Sequence, residues 1–78
     1  MTPGPARGVT YELRALDGTR LITLVAFRTM EMVMEAAPDA DERVLSIWAV
    51  SEAAAEDRLV AVRARGDSEW TLVEAPRE

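Results

Sequence analysis

Seventy-eight residues without a cysteine suffice for one small domain, which buries only about 60% of the surface of its unfolded chain and has no disulfide or thiolate cluster to reinforce it. His, Lys, Asn and Gln are absent as well; the nine basic residues are all Arg, fourteen are Asp or Glu, and the net charge is −5. This removes the side chain that titrates near neutrality and the thiolate and Schiff-base nucleophiles, and an acidic surface repels a phosphate backbone.

In chain order, residues 1–7 hold two prolines and a glycine with no apolar periodicity, and read as a flexible tail ahead of a single domain over residues 8–76. Residues 1–8 contain no apolar run, so no secretory signal is expected. The most apolar stretch, Leu21 to Met34, is interrupted by Arg28 and Glu31 and is too short for a bilayer, so a cytoplasmic protein without membrane contact is expected.

Val9 to Leu16 alternates, Asp17-Gly18 offers a two-residue turn, and Thr19 to Phe27 is β-branched and apolar, which predicts a hairpin. A turn centred on Asp17-Gly18 pairs Leu16 with Thr19. It places Val9, Tyr11 and Leu13 opposite Ala26, Leu24 and Ile22 on one face. The second face then carries Thr10, Glu12 and Arg14 beside Val25, Thr23 and Leu21. Leu21, Val25 and Phe27 make that second face more apolar than a wet face should be, and they are the candidate self-association residues.

Thr29 to Ala37 fits a strand by alternation, but Met, Glu and Ala favour a helix, and Thr29 can cap its first turn. Met30, Val33, Met34 and Ala37 then form one stripe, with Glu31 and Glu35 opposite, and the helix ends before Pro38. After a loop at Pro38 to Glu42, the β-rich run Arg43 to Val50 predicts a central strand, and Ser51 to Asp57 a short helical turn capped by Ser51. Residues 58–65 read as a strand with Val60, Val62 and Ala64 on one side and Arg63 and Arg65 on the other. Gly66-Asp67-Ser68 turns the chain into a last strand, Glu69 to Ala75.

The expected order is strand, strand, helix, strand, short helix, strand, strand. This is an α+β domain, a β-hairpin, a helix and three further strands, with the helix packed on one face of a mostly antiparallel sheet. A β-grasp roll has a similar order and length.

Charge is uneven along the chain. Residues 1–30 hold four arginines against two acids, residues 31–57 hold eight acids against Arg43, and residues 58–78 balance four against four. The acidic middle supplies the candidate partner-binding residues Glu31, Glu35, Asp39 and Asp41, suited to a basic protein. Arg63 and Trp70 form a second candidate, since the shorter register of the last hairpin sets them opposite one another for cation–π contact. Trp48 is assigned to the core and the methionine stripe to core filling.

The Asp39-Ala40-Asp41-Glu42 loop lacks the acids and glycine of a calcium loop, and Arg65-Gly66-Asp67 reads as a turn. The four glycines form no phosphate-binding cluster. No catalytic, metal or cofactor residue is therefore assigned. The expected function is a small non-enzymatic protein–protein interaction module, an accessory, regulatory or inhibitor protein that forms a homodimer. The alternatives are an acidic nucleic-acid mimic that occupies a basic protein, and a carboxylate-based enzyme or small-ligand binder.

Overall fold

The computed structural model describes residues 8–39, 41–52 and 56–73. They form β1 (Val9–Asp17), β2 (Arg20–Phe27), α1 (Met30–Ala36), β3 (Leu45–Ser51), β4 (Arg58–Arg63) and β5 (Thr71–Leu72). The strands make one antiparallel sheet in the order β2-β1-β3-β4-β5, so the run of β-formers after the acidic loop is the central strand, as its composition requires. The architecture is α+β. A grasp-like layout is met in element order but not in strand order, because β5 lies at the edge beside β4 and β1 lies between β2 and β3.

The first hairpin forms, in a different register. Gly18 and Thr19 are the turn residues and Asp17 pairs with Arg20. Gly18 has φ +69° and no described non-glycine residue has positive φ. The turn is thus of the type that needs glycine at its first central position. An Asp17-Gly18 turn would have forced Asp17 itself into the left-handed region. Ala15 then faces Ile22 and Arg14 faces Thr23, but the next pair is Leu13 with Val25. Leu24 is the extra residue of a β-bulge.

The bulge changes which side of the sheet the end of β2 presents. Before it Ile22 shares a face with Ala15; after it Val25 and Phe27 share that same face with Leu13 and Tyr11. Leu21, Val25 and Phe27 therefore do not make one outer face. Val25 and Phe27 pack against the core, while Leu21 stays 46% exposed. The apolar surplus of the hairpin is largely absorbed by this extra residue.

The core lies between this face and the helix. Leu13 and Ala15 of β1, Leu45 and Ile47 of β3, Ala61 of β4 and Val33 of α1 are buried. Each large member contributes roughly 1.5–3 kcal/mol by burial. The helix follows its sequence signals. The Thr29 hydroxyl accepts from the Met32 N–H at 3.1 Å, and Met30, Met34 and Ala37 pack beside Val33 while Glu31 and Glu35 face solvent.

The expected short helix at Ser51 to Asp57 falls in part on residues 53–55, outside the described residues; Ser51 itself is the last residue of β3. Residues 1–7 and 74–78 also lie outside them. A second bulge, at Val60, corrects the reading of β4. Ala61 and Arg63 face the core side with Ile47 and Leu45, Val62 faces Ser46 on the other side, and Val60 packs against the core. Among the described residues no helix is long and apolar enough to cross a membrane.

Candidate functional site

One seven-residue helix covers part of one face of the sheet, and the opposite face carries an organised polar and aromatic cluster. Strand parity puts Glu12 and Arg14 of β1, Thr23 of β2, and Ser46 and Trp48 of β3 on this side, with Glu12 opposite Trp48 and Arg14 opposite Ser46. Arg14 is the hub. Its Nη2 donates to Glu12 Oε1 at 2.7 Å and to Asp57 Oδ2 at 2.8 Å, its Nε donates to Glu12 at 3.0 Å, and its guanidinium lies 5.1 Å from the centre of the Trp48 ring.

The indole N–H of Trp48 donates to Ser46 Oγ at 3.0 Å, and that hydroxyl donates to the Arg14 carbonyl at 3.4 Å. Thr23 Oγ1 donates to Glu12 at 3.3 Å. The Arg14 side chain is 17% exposed. Burial opposes its charge, but the hydrogen bonds and charges of Asp57 and Glu12 outweigh this and raise its pKa. Arg14 is thus held by two carboxylates, and each charged group of the cluster has an oppositely charged partner within it, leaving a structured polar surface instead of a reactive centre.

Trp48, expected in the core, belongs to this open face, and Trp70 is the indole that packs against the core. Strand parity alone would have joined Glu12 to Arg14. Nothing in the sequence reveals that Trp48 and the distant Asp57 complete the set.

The expected pairing of Arg63 with Trp70 is present, with the guanidinium 5.1 Å from the ring centre. It is not a surface patch, however. Arg63 is 4% exposed, donates from Nη2 to the Pro38 carbonyl at 2.8 Å, and leaves its Nε without a partner among the described residues. Arginine is long enough to carry its charge from the core face of β4 to the loop that follows the helix, which a parity rule cannot anticipate.

Of the acidic candidates, Glu31, Glu35 and Asp39 are exposed. Asp41 is turned inward. Its carboxylate accepts from the Arg43 backbone N–H at 2.8 Å and from the guanidinium at 3.0 and 3.1 Å. The side-chain bonds from Arg43, with its backbone bond, lower the Asp41 pKa to about 2. Asp41 is therefore a loop anchor, and the acidic surface consists of its neighbours.

Arg65-Gly66-Asp67 forms a turn, with Gly66 at φ +80° and the Asp67 N–H bonded to the Ala64 carbonyl at 3.0 Å. A shallow groove of about 230 Å³ at one end of the sheet is lined by Val9, Ala49, Ser51, Glu56 and Arg58. Its two charged residues are exposed. Compared with protein-family models, with curated proteins and with solved structures, the chain matches none.

Proposed function

We propose that this chain is a small non-enzymatic protein–protein interaction module of accessory, regulatory or inhibitory type, which self-associates and works in the cytoplasm. The observation that carries the reading is uneven cover. Among the described residues a single seven-residue helix shields one face of a five-stranded sheet, while the other face carries the ion-paired Arg14 and Trp48 cluster flanked by exposed Leu16 and Leu21. Interfaces favour aromatic residues and arginine and disfavour unpaired charge at their centre, and Trp48 and Arg14 meet that description.

The partner surface proper is assigned to the exposed acids of the helix and loop. Glu31, Glu35 and Asp39 enter no ion pair among the described residues, so a basic protein gains attraction at no cost in broken contacts. Affinity capture from native lysate, compared between wild type and Glu35→Arg at low and high salt, tests the partner. Light scattering across a hundredfold dilution tests self-association. A chain that captures nothing and stays monomeric at high micromolar concentration refutes the module reading.

A further inference from the structure

The sheet has two edges, and they differ in how they are protected. At one, β5 contributes only Thr71 and Leu72. At the other, β2 runs for eight residues, and no described residue pairs with its outer side. Its outward groups follow from the ladder. The Leu16 N–H donates to the Val44 carbonyl at 3.0 Å, so Leu16 directs its backbone bonds towards β3 and away from its partner Leu21. In such a pair the opposite residue also turns its N–H and C=O outward, here to the free edge. Alternation adds Thr23, the partner of Arg14, and beyond the bulge Ala26, the partner of Glu12.

Edges that stay in solvent are ordinarily blunted by lysine, proline or charge. The segment Leu21 to Phe27 has none of these, its one irregularity being the bulge at Leu24, and Leu21 and Leu24 are 46% and 36% exposed beside Leu16 at 40%. The geometry points to a second copy of this chain as the occupant of this edge, through antiparallel β2–β2 pairing about a two-fold axis that joins two five-stranded sheets into one. The inference rests on the self-association in the proposed function and names its surface.

Three observations select a copy over an unrelated strand. With the axis at Ile22, Leu21 of one protomer meets Thr23 of its partner and the converse, so the outward groups of both residues are satisfied in matched pairs. Arg20 then faces Leu24, not another arginine. Finally, the edge between Arg20 and Arg28 contains no charged residue, so two copies meet along it without directly opposed like charges. The bulge and the short β5 edge close the assembly at two copies instead of propagating it.

Thr23→Pro removes one outward N–H and leaves the ladder to β1 intact, since proline is tolerated where the N–H faces out from an edge. By light scattering across a hundredfold dilution, wild type is expected at twice the chain mass and Thr23→Pro, with unchanged circular dichroism, at the chain mass. Ile22→Cys supplies a second reading in a chain with no other cysteine. On mild oxidation the two axial thiols are expected to join into a disulfide-linked dimer. A dimer that persists in folded Thr23→Pro, or an Ile22→Cys chain that does not cross-link, overturns the edge while leaving self-association through another surface intact. A wild type that is monomeric throughout overturns both.

Discussion

Deleting Leu24 separates the bulged hairpin from a regular one. In the bulged arrangement Leu24 is the supernumerary residue, and without it the ladder runs on as Arg14–Thr23, Leu13–Val25, Glu12–Ala26 and Tyr11–Phe27 with no pair changed. Val25 and Phe27 keep their places against the core. The loss is then confined to the buried part of one leucine that is 36% exposed, about 1–2 kcal/mol, offset in part by a more regular ladder. Were the hairpin regular on the same turn, Leu24 would face Leu13 from the core side, so the same deletion would remove a core leucine and move every later residue of β2 to the opposite face, at a cost of about 2–5 kcal/mol.

Urea denaturation followed by circular dichroism distinguishes these outcomes. Deletion of Ser46 is the control, since β3 pairs with β1 without a bulge and one of the buried residues Leu45 or Ile47 must turn outward. The Leu24 deletion should fold with a loss of no more than about 2 kcal/mol, and the Ser46 deletion should not fold. An unfolded Leu24 deletion would refute the bulge and, with it, the identity of the outward groups on β2.

Gly18→Val should cost about 1–2 kcal/mol, because a Cβ there meets nothing within 4 Å and only the positive φ of +69° is strained; an unchanged thermal midpoint would contradict the turn. Asp41 has its folded pKa lowered from 3.8 to about 2, so its contribution is fully present above the unfolded value and is lost as pH falls through about 2. The melting difference between wild type and Asp41→Asn should accordingly be constant above about pH 5 and shrink as pH falls towards 2. A difference that does not change with pH would deny the Arg43 bonds their role.

What could be read from the sequence was whatever a local signal decides. Thr29 caps the helix because its hydroxyl is placed for the Met32 N–H, and the methionine stripe follows from helical period. The Arg43 to Val50 run becomes the central strand because it is apolar on both parities. The turn lies one residue beyond Asp17-Gly18 because Asp-Gly and Gly-Thr both suit two-residue loops and differ only in which position takes positive φ.

The two bulges were not legible. An extra residue is accommodated wherever it lets more apolar side chains reach the core, and that balance is struck over several strands at once. The same limit hid the open-face cluster. Glu12 and Arg14 share a face by parity, but Asp57 reaches Arg14 across 43 positions of sequence, from the connection between β3 and β4.

Arg63 is where local pattern and tertiary outcome conflict most, and its burial makes a specific energetic claim. The guanidinium gains a charge-assisted bond to the Pro38 carbonyl, worth about 1.5–3 kcal/mol, and a contact with Trp70 worth about 0.5–2 kcal/mol. Against these stand an Nε with no partner among the described residues, costing about 1–3 kcal/mol, and the desolvation of a charge. Pro38 is exposed, so water replaces the arginine at its carbonyl when the donor is removed. The polar terms therefore nearly cancel, and the lasting contribution is the aliphatic stem packed between β4 and the loop after the helix. Arg63→Met, which keeps the stem, should lie within about 1 kcal/mol of wild type in urea denaturation, while Arg63→Ala should lose roughly 2 kcal/mol or more. Equal losses in the two variants would show that the charge, and not the stem, holds the last hairpin to the helix.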